Sequence, residues 1–208
     1  MTEKKHFSMI RSFHLADFFT LANAFCGLAA VFCVMDWLLT RDLMQLLYAC
    51  AYIPAALFFD VMDGRIARWR QAQSAMGREL DSLSDIISFG VAPAAIAFGA
   101  GMQGMWDRLI LFYFVGCGVS RLARFNITAE ALAQGEPTGK VKYFEGTPIP
   151  TSVFLVFMLA YATFQGRVGE QLYGGMVEFL TWEFHPLSLL FLISGSLMIS
   201  KTLRIPKL

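Results

Sequence analysis

The sequence predicts an all-α integral membrane protein with six transmembrane helices and both termini in the cytoplasm. Of its 208 residues, 56% are hydrophobic and only 16% are charged. The apolar residues also gather into runs close to the length of about 20 residues that crosses a hydrocarbon core of ~30 Å. These runs lie at 18–38, 46–67, 80–100, 107–126, 150–166 and 186–201.

The distribution of lysine and arginine supports this topology and sets its orientation. With six spans and cytoplasmic termini, all 17 basic residues except Arg41, Arg108 and Arg167 fall in cytoplasmic segments. An excess of positive charge on the cytoplasmic side is the usual rule for membrane proteins. The net charge is only +1, so no nucleic-acid partner is expected.

The chain shows no linker, internal repeat or low-complexity segment, and we predict a single membrane domain over residues 1–208. The first apolar run is longer than the core of a signal peptide and lacks a small-residue cleavage site, so we interpret it as a retained helix. His6, His14 and His185 have no partner at metal-ligand spacing. We interpret them as polar residues at the membrane boundary.

Four aspartates occupy a 26-residue stretch at the junction of the second and third predicted spans. Asp60 and Asp63 are three residues apart, and Asp81 and Asp85 are four apart, so each pair shares one face of a helix. A charge at the centre of a membrane costs about 2.5–3.5 kcal/mol, and clustered carboxylates also repel one another. Two Mg²⁺ or Mn²⁺ ions would balance four ionised aspartates, and the spacing therefore predicts a metal site.

Two glycines flank the aspartates in a way that suggests a bulky ligand. Gly64 directly follows Asp63, and Gly77 lies four residues before Asp81. A residue without a side chain lets a ligand approach the backbone closely. Because Mg²⁺ commonly shares its coordination between carboxylates and phosphate oxygens, this arrangement suggests phosphoryl transfer.

Two other interpretations of the aspartates remain open. They could be interfacial charges paired with Arg65, Arg68 and Arg78, or they could line an ion pathway in a small cation transporter. Transporters tend to place such groups near the bilayer midplane, on broken helices in repeated halves. Here the carboxylates lie at the ends of spans and no repeat is visible, which favours an enzyme.

The aspartates belong to a longer pattern, D-x₂-D-G-x₂-A-R-x₈-G-x₃-D-x₃-D, that runs from Asp60 to Asp85. This pattern resembles the signature of the CDP-alcohol phosphatidyltransferases, and six spans with cytoplasmic termini also fit that family. The resemblance implies an enzyme in which an alcohol attacks the lipid-linked phosphate of CDP-diacylglycerol, or of an archaeal CDP-ether lipid, and CMP leaves.

The resemblance also implies a role for each matching position. Asp60, Asp63 and Asp81 would bind metal, and Asp85 would both contact metal and act as the catalytic general base. The implied nucleotide-binding residues are Asp63, Gly64, Ala67, Arg68, Gly77, Thr20 and Asn23. A homodimer among membrane lipids, in a prokaryotic cytoplasmic membrane with its active site facing the cytoplasm, is the implied setting.

Segments around the signature indicate which alcohol is used. LDSLSDIISFGVAPA, RLARFN, YFEGTPIP and ADFFTLANAFCG resemble the branch of the family that uses L-serine. Arg121 or Arg124 could bind the serine carboxylate with the two-pronged geometry of a guanidinium, and Asn126 and Glu145 could bind its ammonium group. Glycerol phosphate, inositol phosphate and choline remain the alternative alcohols.

Overall fold

The computed structural model describes residues 15–70, 75–135, 143–200 and 204–206. Within these ranges, side chains are not described at Ala67, Arg70, Ala75, 128–145 and 204–206. The described chain forms seven α-helices: α1 (Leu15–Thr40), α2 (Leu43–Arg70), α3 (Ala75–Asp85), α4 (Ala92–Ala100), α5 (Met105–Gly135), α6 (Ser152–Phe164) and α7 (Leu189–Ile199).

Four stretches of helix are long and apolar enough to cross a membrane, and they match the first four predicted spans. They are Leu15–Thr40, Leu43–Ile66, Met76–Ala100 and Met105–Ile127. The other two predicted spans correspond to shorter apolar helices, Ile149–Phe164 and Pro186–Ile199. The structure therefore shows an integral membrane architecture with four candidate spans, and it does not confirm the count of six or the cytoplasmic placement of the termini.

The third candidate span changes its helical geometry immediately after Asp85. A π-helical segment, Ile86–Val91, joins α3 to α4, and π-helical turns occur frequently at functional sites. This segment packs closely on α1, since a Cβ atom on Gly27 would lie only 2.6 Å from Ser88 Oγ. The missing side chain at Gly27 thus lets α1 approach the residues that follow Asp85.

Small residues allow similar close packing elsewhere in the bundle, as is usual between membrane helices. A Cβ atom on Gly118 of α5 would lie 2.7 Å from Ile149 Cδ1, so the segment that enters α6 lies directly against α5. Phe114 of α5 packs edge-on against Phe191 of α7, with ring centroids 5.2 Å apart. These contacts fix α5 and α7 beside one another.

Two short antiparallel ladders depart from a purely helical fold. β1 (Tyr143–Glu145) pairs with β4 (Arg204–Pro206), and β2 (Val177–Phe179) pairs with β3 (Trp182–Phe184). Each strand has three residues, too few for alternation to stand out in the sequence. Both ladders lie in connections outside the candidate spans.

His185, interpreted from the sequence as a polar boundary residue, is buried and paired with Asp107. His185 Nδ1 lies 2.8 Å from Asp107 Oδ2, and the His185 backbone N–H donates to Asp107 Oδ1 over 2.8 Å. The Gly104 N–H also donates to Asp107 Oδ2, over 3.2 Å. His185 and Asp107 are 78 positions apart, so no local sequence pattern predicts the pair. Their contact joins the start of α5 to the residues before α7.

Candidate active site

The end of α2 and the start of α3 bring three of the four predicted metal ligands together. One carboxylate oxygen from each of Asp60, Asp63 and Asp81 lies within 4.8 Å of the other two. The helix spacing explains this placement, because residues three apart at the end of α2 share a face that α3 then approaches.

This carboxylate group is chemically suited to a hard divalent cation. Asp63 is buried, and Asp81 Oδ1 is buried without a hydrogen-bond partner among the described residues. Three ionised carboxylates this close repel one another strongly when water is excluded. Mg²⁺ and Mn²⁺ prefer such oxygen ligands, so the residues present fit a metal centre.

The proposed alternative of surface ion pairs finds no counterpart in this part of the structure. Arg65, Arg68 and Arg78 are all exposed, and among the described residues no ion pair joins them to the four aspartates. In the part of the chain that the structure describes, these three arginines therefore do not neutralise the carboxylates.

Asp85 lies apart from the group of three. It is buried, and its Oδ1 accepts a hydrogen bond from Asn23 Nδ2 over 3.3 Å. Its charge still interacts with those of Asp60 and Asp81. Direct metal binding by Asp85 stays a prediction, while its position beside the cluster and its fixed orientation are features of the structure.

Polar residues of α1 supply the partners of two aspartates. The Thr20 hydroxyl lies 2.8 Å from Asp63 Oδ2 and 3.2 Å from the Ala16 carbonyl, so its one hydrogen has the shorter contact with Asp63. Asn23 holds Asp85, and the charge of Asp17 interacts with that of Asp63. Thr20 and Asn23 thus contact aspartates in this structure, and their direct contact with a nucleotide stays a prediction.

The sequence carries a signal for this supporting role. Asp17, Thr20 and Asn23 recur at every third position of an otherwise apolar helix, and all three are buried. Residues at that spacing share a helix face. A polar stripe on a membrane helix needs a polar partner, and the nearest one is the aspartate cluster.

Space is available next to Asp63 where the signature places glycine. Among the described residues, a Cβ atom on Gly64 would meet only Arg68 Nη1, at 4.0 Å. Arg68 is exposed and Gly77 is half-buried, while the Ala67 side chain lies outside the described residues. The backbone at Gly64 is therefore open to a ligand.

Arg121 of α5 lies near Asp85, and Arg124 lies near Arg121. Arg121 is buried, its charge interacts with those of Asp85 and Arg124, and its Nε has no hydrogen-bond partner among the described residues. Arg124 Nη1 makes a long contact of 3.5 Å with the Ile199 carbonyl, and its buried Nη2 lacks a described partner. Unused guanidinium donors beside the cluster suit an anionic ligand.

The other two residues predicted to bind serine are placed differently. The Asn126 amide donates to Ser82 Oγ over 3.0 Å and to Glu79 Oε1 over 3.4 Å, so it links α5 to α3. The Glu145 side chain lies outside the described residues. Its backbone belongs to β1, opposite Arg204 of β4.

Comparisons with known proteins show the family to which this chain is similar. A family model described as CDP-alcohol phosphatidyltransferase matches residues 13–193. The chain is 46% identical over 207 residues, 99% of its length, to CDP-diacylglycerol–serine O-phosphatidyltransferase of Saccharomyces cerevisiae, and it covers 75% of that protein.

Bacterial and archaeal proteins are similar over shorter stretches. The Helicobacter pylori CDP-diacylglycerol–serine O-phosphatidyltransferase is 36% identical over 144 residues, which are 68% of this chain and 55% of that protein. Archaetidylserine synthase of Methanothermobacter thermautotrophicus is 33% identical over 159 residues, 75% of this chain and 60% of the relative. Since the relatives include a yeast protein, they give no support to the expected prokaryotic origin. The chain belongs to the CDP-alcohol phosphatidyltransferase family.

Proposed function

We propose that this protein transfers the phosphatidyl group of CDP-diacylglycerol to the hydroxyl of L-serine, giving phosphatidylserine and CMP. The carboxylate cluster of Asp60, Asp63 and Asp81, with one oxygen of each within 4.8 Å of the others, is the observation that supports this chemistry. The names of the yeast and Helicobacter relatives support serine as the alcohol. The name of the archaeal relative makes a CDP-ether lipid the lipid substrate to compare.

The cluster holds two Mg²⁺ or Mn²⁺ ions in this proposal. The chemistry that such ions supply when bound is neutralisation of the pyrophosphate and of the charge on departing CMP. Asp60, Asp63 and Asp81 provide the oxygen ligands. Thr20 keeps Asp63 oriented, and the open backbone at Gly64 leaves room for the nucleotide.

Asp85 acts as the general base. Its carboxylate accepts the proton of the serine hydroxyl as the serine oxygen bonds to the lipid-linked phosphorus and the bond from phosphorus to the CMP oxygen breaks. A base must lie within hydrogen-bond reach of the proton it removes, and the hydrogen bond from Asn23 fixes one oxygen of Asp85. The other oxygen is then left for the alcohol.

Arg121 and Arg124 bind the serine carboxylate. Both have guanidinium nitrogens without a described hydrogen-bond partner, and a planar guanidinium can contact both carboxylate oxygens at once. Binding there would place serine next to Asp85, whose charge already interacts with that of Arg121.

We propose a membrane topology that places the site at the cytoplasmic surface. Residues 150–166 and 186–201 form the fifth and sixth spans, both termini lie in the cytoplasm, and the aspartates face the cytoplasm, where soluble serine and CMP are found. We also propose a homodimer. Protease protection of tagged termini in sealed vesicles tests the orientation, and cross-linking in native membranes tests the dimer.

A CMP-release assay on the purified protein tests the reaction. CMP should appear with CDP-diacylglycerol and L-serine, and it should not appear with glycerol phosphate, inositol phosphate or choline. EDTA and Asp85→Asn should each abolish turnover, and added Mg²⁺ or Mn²⁺ should restore only the EDTA-treated wild type. CMP release with another alcohol alone, or cation flux in proteoliposomes without CMP release, would overturn the assignment.

A further inference from the structure

The β2–β3 hairpin has one apolar face and one acidic face. Its cross-strand pairs are Val177 with Phe184, Glu178 with Glu183, and Phe179 with Trp182. Because successive side chains point to opposite faces of a strand, the two glutamates share one face and the four apolar residues share the other. Phe179 is 56% exposed and Trp182 is 43% exposed. A large part of the apolar face therefore has no partner among the residues that the structure describes.

A groove connects this apolar face to two membrane helices. Its volume is about 500 Å³, and Phe179 and Phe184 form its hairpin side. The helices contribute the remaining lining residues, namely Trp106, Leu109, Ile110, Tyr113, Leu189 and Leu192. Trp106 also donates a hydrogen bond from Nε1 to the Phe179 carbonyl over 3.0 Å, which holds the hairpin against α5.

The length of α5 sets the level of the groove in the membrane. The apolar part of α5, Met105–Ile127, has 23 residues, or about 34 Å at ~1.5 Å per residue, little more than a hydrocarbon core of ~30 Å. Leu109 and Tyr113 therefore lie at hydrocarbon depth. The hairpin side chains that line the same groove lie at the edge of that layer.

The length of the neighbouring helix, Pro186–Ile199, indicates the same depth in the membrane for the hairpin. Pro186–Ile199 is about 21 Å long at ~1.5 Å per residue, so on its own it falls short of a core of ~30 Å. In the proposed topology this helix crosses the membrane, and the chain that leads into it then enters the membrane layer. Asp107, which accepts three N–H hydrogen bonds from His185 and Gly104, satisfies the irregular backbone there, as a low-polarity environment requires.

The tip of the hairpin fits the same environment. Leu180 (φ 49°) and Thr181 (φ 68°) form its two-residue turn, a conformation in which asparagine and glycine are usual. Leu180 is 71% exposed in the protein alone. In water, the exposed leucine contributes no free energy that would offset this unfavourable backbone conformation. In lipid, the leucine side chain is removed from water, which is favourable.

We propose that the hairpin Val177–Phe184 is a membrane anchor that binds bilayer phospholipid. Its apolar face and Leu180 insert among the acyl chains, one acyl chain occupies the groove, and Glu178 and Glu183 face water. The anchor lies on the side of the membrane opposite the aspartates, because Met76–Ala100 crosses from Asp81 to the end next to α5. Glu183 also lines a polar cavity of about 570 Å³ with Arg41, Gln103 and Glu170, consistent with a wet acidic face.

Tryptophan quenching by brominated lipid tests the insertion on the full chain. The protein is reconstituted in phosphatidylcholine vesicles whose acyl chains carry bromine near the headgroup. Trp182→Phe should lose a substantial part of the quenching seen with the wild type, whereas Trp37→Phe, which removes a buried tryptophan, should lose little. Equal quenching of wild type and Trp182→Phe would overturn the proposal.

Cysteine labelling gives a second, independent readout. Leu180→Cys and Glu178→Cys are compared in proteoliposomes with a membrane-impermeant maleimide, and the unsubstituted protein gives the background from its four free cysteines. Glu178→Cys should react readily, and Leu180→Cys should react slowly until detergent dissolves the bilayer. Equal labelling of both variants before detergent would show that the tip lies in water and would refute the anchor.

Discussion

Asn23 of α1 holds Asp85 through its side chain and Ser88 through its backbone. Its Nδ2 donates to Asp85 Oδ1 over 3.3 Å, and its carbonyl accepts a hydrogen bond from Ser88 Oγ over 2.8 Å. Asp85 directly precedes the π-helical segment and Ser88 lies inside it. One residue of α1 therefore fixes both the proposed base and the irregular turn that presents it.

Asn23→Ala should lower kcat about 10- to 100-fold, because hydrogen bonds to charged groups contribute roughly 1.5–3 kcal/mol. The KM for serine should change little, since Asn23 orients the base and does not bind the alcohol. Steady-state CMP release measures both constants. The matched control is Thr163→Val, which removes another buried polar side chain far along the chain on α6 and should leave kcat unchanged. A wild-type kcat for Asn23→Ala would show that this hydrogen bond does not position Asp85.

Asp81→Asn should stabilise the metal-free protein and abolish turnover. It removes one charge from a group whose carboxylates repel one another, and it removes a proposed metal ligand at the same time. Thermal unfolding in EDTA should therefore occur at a higher temperature than for the wild type. Mg²⁺ should raise the unfolding temperature of the wild type, since a ligand that binds only the folded state stabilises it, and it should have much less effect on the variant. Equal Mg²⁺ stabilisation of both proteins would argue against a metal bound at Asp81.

The sequence predicts the carboxylate cluster better than it predicts the residues that support it. Asp60, Asp63 and Asp81 follow helix periodicity within 22 positions, so local spacing suffices to bring them together. Asn23 and Asp85 are 62 positions apart, and their contact depends on how α1 packs on the third span. Thr20 and Asn23 are predicted to bind nucleotide from the resemblance of the segment ADFFTLANAFCG, and such a resemblance identifies positions without showing which group each side chain contacts.

The membrane-spanning helices, too, are predicted well from the sequence in one part of the chain and less well in another. Hydropathy locates the first four spans well, because each contains a long and strongly apolar run. The last two helices are shorter, since part of the chain beside them folds into irregular turns and the β2–β3 hairpin, whose three-residue strands leave no periodic signal. The Asp107–His185 pair that organises this region joins distant positions, and single-residue inspection of His185 could not detect it.

Gly64→Leu should raise the KM for the CDP-lipid while the protein remains as stable as the wild type. Among the described residues, a Cβ atom at Gly64 meets only the end of the Arg68 side chain, so the free protein has room for a leucine. That leucine would occupy the space in which we propose that the nucleotide binds. Substrate titrations and thermal unfolding measure the two effects separately.

Gly27→Ala is the matched control, and for this variant we expect a loss of thermal stability. Its Cβ would lie 2.8 Å from Ser88 Cα, so α1 must move and thermal stability should fall. The interpretation of Gly64 as an open ligand contact fails if Gly64→Leu lowers stability and leaves the KM unchanged.

Asp107→Ala should destabilise the protein with little effect on the chemistry of the molecules that remain folded. The substitution leaves the buried N–H groups of His185 and the half-buried N–H of Gly104 without their acceptor. Each buried unsatisfied group costs about 1–3 kcal/mol. Thermal unfolding in detergent measures the loss. The kcat per folded molecule should be retained, because Asp107 lies at the end of the bundle opposite the aspartate cluster. A large fall in that kcat with unchanged stability would contradict a structural role.

Arg121→Lys should raise the KM for serine and leave the KM for the CDP-lipid nearly unchanged. Lysine keeps the positive charge beside Asp85 but cannot contact both oxygens of a carboxylate in the planar geometry of arginine. Substrate titrations of CMP release, one for serine and one for the lipid, separate the two constants. Arg68→Lys provides a matched control on the exposed side of the site and should not affect the KM for serine. If Arg121→Lys and Arg124→Lys both keep the wild-type KM for serine, the serine carboxylate binds elsewhere, and Arg121 serves instead to balance the charge of Asp85.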